Sequence, residues 1–339
     1  MQPPQRVGLI ASALPMSVRA GEEIPSVEIL LQPVPTFSVS GRIVNLVSRR
    51  SDTYTLSLAP RQAEQWFTLP QRDTFTDSPD GSYVIRDVLP GSYTVGVIWG
   101  EEGKTYHAFQ NVEVGNADVV GANVVIANGI TISGRVIWDG KPNLDRDSLM
   151  IFLRSMDGAF GGRPARTTPT GTFALNNVYD GRYRINVAGQ SQDCYLKAVQ
   201  YSSIDGLADG FTVVRGTNST LEVTISAKGA RVQGTVVDAD NLPAIGVWVI
   251  LVPDGARRTQ HMLYKQVTTD QHGSFDIHGV APGKYKLFSW EDAEEGAWQD
   301  PEFLKAFEDK GESVEVNDSD QKNVNLVLIP DTVDTPKPY

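Results

Sequence analysis

The chain reads as short stretches of alternating apolar and polar residues broken by glycine and proline. In SYVIRDVLPGSYTV, Tyr83 and Ile85 alternate with polar neighbours, Pro90-Gly91 supplies a turn, and Tyr93, Val95 and Val97 resume the alternation. A period of two over such short runs predicts β-strands with one buried face. Proline presets the first torsion of the turn and glycine accepts an unusual second one, so the segment is expected to close as a hairpin.

The same block recurs. VSGRIV around Gly41, ISGRVI around Gly134 and VQGTVV around Gly234 each open a copy. Each is followed by an aromatic-bearing turn (Gly81-Ser82-Tyr83, Gly171-Thr172-Phe173, Gly273-Ser274-Phe275) and then by Gly91, Gly181 or Gly283, the two later glycines lying 10 residues apart in every copy. The period is 90 to 102 residues, long enough for each copy to bury its own core.

This predicts an all-β chain of three tandem β-sandwich modules over 36–127, 128–227 and 228–330. Residues 1–35 match the closing strands of a copy without its opening block, so they are expected to be the end of a truncated upstream module. One helix is expected near 301–310: Asp300 can cap it, Pro301 suits its first turn, Phe303, Leu304 and Phe307 share a face, and Gly311 stops it. Residues 331–339 are rich in proline and are expected to be a disordered tail.

The repeated blocks resemble the carboxypeptidase regulatory-like domain, related to prealbumin-like and starch-binding-like folds, which implies that each module is a seven-stranded Greek-key β-sandwich. The resemblance covers roughly residues 36–330, and the third copy carries the pattern best, in Asp270-Gln271-His272-Gly273-Ser274-Phe275. It implies an accessory module of bacterial surface or secreted proteins, with an extracellular, periplasmic or outer-membrane location and carbohydrate binding as the generic role. A family of this kind implies a fold more than an activity.

Composition narrows the function. A net charge of −11 opposes nucleic-acid binding, and no basic stripe with interleaved aromatics is visible in the sequence. Apolar runs such as Val247 to Val252 are far too short to cross a membrane as a helix, and the first residues show no signal peptide. The single cysteine, Cys194, cannot form an internal disulfide.

Enzyme chemistry finds no footing. The four histidines, His107, His261, His272 and His278, have no zinc-ligand spacing, and no nucleophile elbow or phosphate loop occurs. Asp238, Asp240 and Asp270 could meet as calcium ligands, but aspartate also favours turns through its own hydrogen bonds. No cofactor is expected. The opening strands carry no lysine suited to an intramolecular cross-link.

Sugar binding would use exposed rings. Trp66, Trp138 and Trp298 sit beside polar or turn residues and are the candidate stacking platforms. Trp248, inside an apolar run, is assigned to the core, and Trp99 and Trp290 to equivalent packing positions at the sandwich end. The leading expectation is a non-catalytic module array whose partner is a polysaccharide. The alternative is a structural or adhesive stalk that meets a cell-surface protein, favoured by connections as short as Ala127-Asn128-Gly129 and Ala227-Lys228-Gly229.

Overall fold

The computed structural model describes residues 33–48, 53–61, 72–76, 80–101, 104–141, 149–156, 162–216 and 219–330, with 72–76 described as backbone. The closing strands expected over 1–35, the tail at 331–339 and Trp66 fall wholly or almost wholly outside them. What is described is nearly all β, arranged as six sheets.

The sheets face one another in pairs around three cores, each built from one copy of the block. In the first, Phe37–Asn45 pairs with Ser82–Val88 on one side and with Val119–Val120 and Val124–Ile126 on the other. The facing sheet runs Arg72–Thr76, Tyr54–Pro60, Gly91–Glu101, Lys104–Val114. The third copy repeats this layout, with Ala230–Val237 between Ser274–Val280 and the broken final strand Gln321–Asn323 and Leu326–Val327. The second copy inserts a hairpin, Tyr195–Tyr201 with Ile204–Asp205, that widens its first sheet.

The strand–turn–strand segment at each PG or DG turn is not a hairpin. Ser82–Val88 belongs to one sheet and Gly91–Glu101 to the facing one, and the same crossing occurs at Gly181 and Gly283. The turn is an arch over the core. Its two arms present Ile85 and Val88 against Val95 and Val97 across the interior instead of bonding to each other.

A repeated irregularity turns the chain into the arch. Asp87, Asn177 and Gly279, each one residue before the last apolar residue of its strand, adopt φ of 57°, 58° and 64°. The ladder register shifts at that point in every copy. Asp, Asn and Gly are the residues that tolerate this left-handed conformation.

The opening glycine of each copy is set by crowding. A Cβ on Gly41 would lie 2.2 Å from the Ala122 carbonyl oxygen, on Gly134 2.3 Å from the Phe173 ring, and on Gly234 1.7 Å from the Val324 carbonyl oxygen. The tyrosine two residues after the turn glycine ties the arch down: the Tyr183 hydroxyl donates to the Tyr179 carbonyl at 2.9 Å and that of Tyr285 to the Ala281 carbonyl at 2.8 Å. Burial raises the Tyr285 hydroxyl pKa, keeping it a neutral donor.

The third copy has a second apolar layer. Ile250, Val252, Phe288 and Trp290 lie on the outer face of their sheet and are covered by Trp298, Phe303, Leu304 and Phe307. The covering helix spans Pro301–Lys305, shorter than the expected 301–310, with turns continuing to Lys310. Asp300 caps it, accepting from the Glu302 amide at 2.9 Å. Because Trp248–Pro253 is buried on both faces, its sequence is a continuous apolar run without alternation.

Candidate functional site

Of the three candidate platform residues, Trp66 lies outside the described residues, and Trp138 and Trp298 pack in separate apolar clusters. Trp298, expected to be exposed, is 4% exposed and packs edge-on to Trp248 at 5.5 Å in the second apolar layer. The strand beneath it is apolar on its outer face, so that face needed a cover. Trp138 is half-buried against the second core, with its indole N–H buried and unbonded. Trp248 also lies in the outer layer and not in the sandwich core.

Trp99 and Trp290 are not equivalent. Trp99 follows Tyr93 by six residues and shares its face, packing between Tyr54 and Tyr106 in the first core. Trp290 follows Tyr285 by five and points to the opposite face, stacked on Phe288 at 5.1 Å. One residue of offset exchanges the faces of a strand.

The aspartates considered for calcium form turns. Asp238 accepts from the amides of Asp240 and Leu242, both at 2.9 Å, and Asp270 accepts from those of His272 and Ser274, both at 2.8 Å. These bonds, first that from Ser274, hold the Asp270 carboxyl below its usual range. Among the described residues no group of three or more His, Cys, Asp or Glu side chains converges as a metal set.

The polar groups that do converge lie where one copy meets the next. At the first seam the Tyr179 hydroxyl accepts from the His107 amide at 3.3 Å, the two rings meet at 6.3 Å, and Phe109 packs against the second core. Burial lowers the His107 pKa, favouring the neutral ring.

The second seam is built largely by the inserted hairpin and the loop before it. Asp193 contacts His278 Nδ1 at 2.7 Å, and its carbonyl accepts from the Gly229 amide at 3.1 Å. The Tyr195 hydroxyl donates to Asp318 at 2.8 Å. His278 Nε2 lies 3.0 Å from Asp276, which Arg231 also pairs. The Arg231 hydrogen bond, with His278 as a smaller contributor, lowers the Asp276 pKa. His278 is therefore an interface residue. Beside the junction, Asp139 takes Lys197 and Lys228 at 2.6 Å each, and these hydrogen bonds hold its carboxyl well below the usual carboxylate range.

Glycine makes the second seam possible. A Cβ on Gly279 would lie 2.4 Å from the Gln192 carbonyl oxygen and 2.7 Å from that of Cys194. The sequence signal was present: Asp, Asn and Gly are all acceptable at this bulge, and the copy that must admit a neighbour carries Gly.

No protein-family model matches the chain. No curated protein matches it either. Solved structures similar to it include the Bacillus anthracis TIE protein, at 12% identity over 87% of this chain with a TM-score of 0.24. This chain spans 50% of that one. A streptococcal ancillary pilin is similar at 14% identity over 86% of this chain and 99% of its own, with a TM-score of 0.26. The minor pilin GBS52 of Streptococcus agalactiae is similar at 14% identity over 61% of this chain and 100% of its own, with a TM-score of 0.28.

Proposed function

We propose that this chain is a non-catalytic, extracellular cell-surface protein: a semi-rigid stalk of three sandwich modules of the carboxypeptidase regulatory-like type, joined near 127/128 and 227/228. The observation that carries the reading is the second seam. A flexible linker would leave the modules independent, whereas here a junction glycine packs on the neighbouring copy and a chain of polar side chains runs from Asp193 through His278 and Asp276 to Arg231. Short junctions with cross-module contacts restrict reorientation, which suits a spacer that must hold a shape. The stalk thus takes precedence over sugar stacking on Trp66, Trp138 and Trp298.

Small-angle X-ray scattering tests it. A stalk gives one elongated particle whose maximum dimension is unchanged between low and high salt. A broad ensemble of dimensions from three freely hinged modules would refute it.

A further inference from the structure

The outer face of one sheet in the second copy is basic. On Ala165–Arg166, Met150–Ser155, Gly181–Ala188 and Phe211–Val213, alternate residues fill the core. The residues between them put Arg154, Arg166, Arg182 and Arg184 on the outside, with no acidic residue on that face of these strands. In a chain of net charge −11 this is a local reversal of sign.

Arg154 and Arg184 stand directly opposite each other on neighbouring antiparallel strands. Like charges at that register oppose folding. Among the described residues no acidic side chain pairs with either, and Arg184 Nε is buried without a hydrogen-bond partner. A buried guanidinium nitrogen left unbonded costs free energy.

Arg184 also lines a cleft of about 350 Å³ against the third copy, whose wall includes Arg258, His261, Tyr264, Gln299 and Leu304. His261 and Tyr264 stack with ring centroids 6.2 Å apart. Arg258 and Lys286 share the single carboxylate of Glu308, at 2.9 and 2.8 Å, so the cleft keeps a positive balance to which Arg184 adds a charge with no acidic partner among the described residues.

We propose that this cleft binds a uronate-bearing oligosaccharide, with Arg184 taking the carboxylate. A guanidinium fork matches a carboxylate in two parallel hydrogen bonds. The half-buried Tyr264 ring offers an apolar surface to a sugar face, and the Gln299 amide suits a hydroxyl. A volume of this size fits a small ligand, which favours a saccharide over an acidic protein, and the overall negative charge disfavours nucleic acid. The proposal goes beyond the stalk reading and does not depend on it.

Isothermal titration of the whole chain with tetragalacturonate tests it, beside the fully methyl-esterified tetramer and poly-glutamate. Saturable binding is expected for tetragalacturonate, weakened at least about tenfold by esterification and by Arg184→Gln, the scale of one charge-assisted hydrogen bond. Near-UV circular dichroism checks that the variant is folded, and Arg154→Gln, at an exposed residue, provides a second variant expected to weaken binding. No saturable binding to the folded chain, equal affinity for the ester, unchanged affinity in both variants, or tighter binding of poly-glutamate would overturn it.

Discussion

Gly229 and Gly279 meet backbone to backbone on the edge of the third copy that faces the second: a Cβ on Gly229 would lie 2.6 Å from the Gly279 Cα and 2.3 Å from the Asp193 carbonyl oxygen across the seam. One residue belongs to the junction and the other to the bulge that leads into the third arch. Beside them the Asp193 side chain of the second copy reaches His278 of the third at 2.7 Å.

Gly279→Ala therefore strains a positive φ and places a methyl against the Gln192 carbonyl. The two effects together should destabilise the third copy by about 2 to 4 kcal/mol. A lowered unfolding midpoint for one transition, with the others in place, is the expected thermal profile. An unchanged profile would mean that the seam relaxes without cost.

Crowding makes the opening glycines unequal to those in loops. Gly234→Ala is expected to cost about 3 kcal/mol, because its methyl would overlap the Val324 carbonyl where the first and last strands run side by side. Gly115→Ala meets nothing within 4 Å and should change stability by no more than about 0.5 kcal/mol. Urea unfolding of both variants measures the contrast.

Trp298→Ala should remove the cover of the second apolar layer and cost about 3 to 5 kcal/mol, the range for deleting a buried indole. Tryptophan fluorescence and thermal unfolding measure it. Loss of stability below 1 kcal/mol would contradict its placement.

Acid should weaken the Arg231–Asp276 pair of the third copy, beside the second seam. The Asp276 pKa is depressed below its ordinary value by Arg231 first and His278 second. A carboxylate with a lowered folded-state pKa contributes stability that is present above its unfolded pKa, about 3.9, and is lost as the pH falls below it. Both partners are well exposed, so the contribution is on the order of 0.5 to 1 kcal/mol. Arg231→Gln should flatten the dependence of the unfolding midpoint between about pH 5 and pH 2.

Much of this architecture was legible in the chain. Alternation marked the strands, and the recurrence of Gly41, Gly134 and Gly234 with their later turn glycines marked three copies, because each copy solves the same crowding problem with the same residues. Asp300, Pro301, Phe303, Leu304 and Phe307 announced the short helix and its buried face.

Other features were decided only in three dimensions. A hairpin and an arch use the same turn residues and the same alternation, and only the partner of each strand distinguishes them, which is a long-range choice made at Phe37–Asn45 and Tyr54–Pro60. Trp298 has a polar local setting, yet the face it covers comes from residues 250, 252, 288 and 290. Arg154 and Arg184 are 30 residues apart in sequence and opposite each other in the sheet. Local spacing determines which face of a strand a side chain takes; strand pairing and the docking of one copy on the next decide what that face meets.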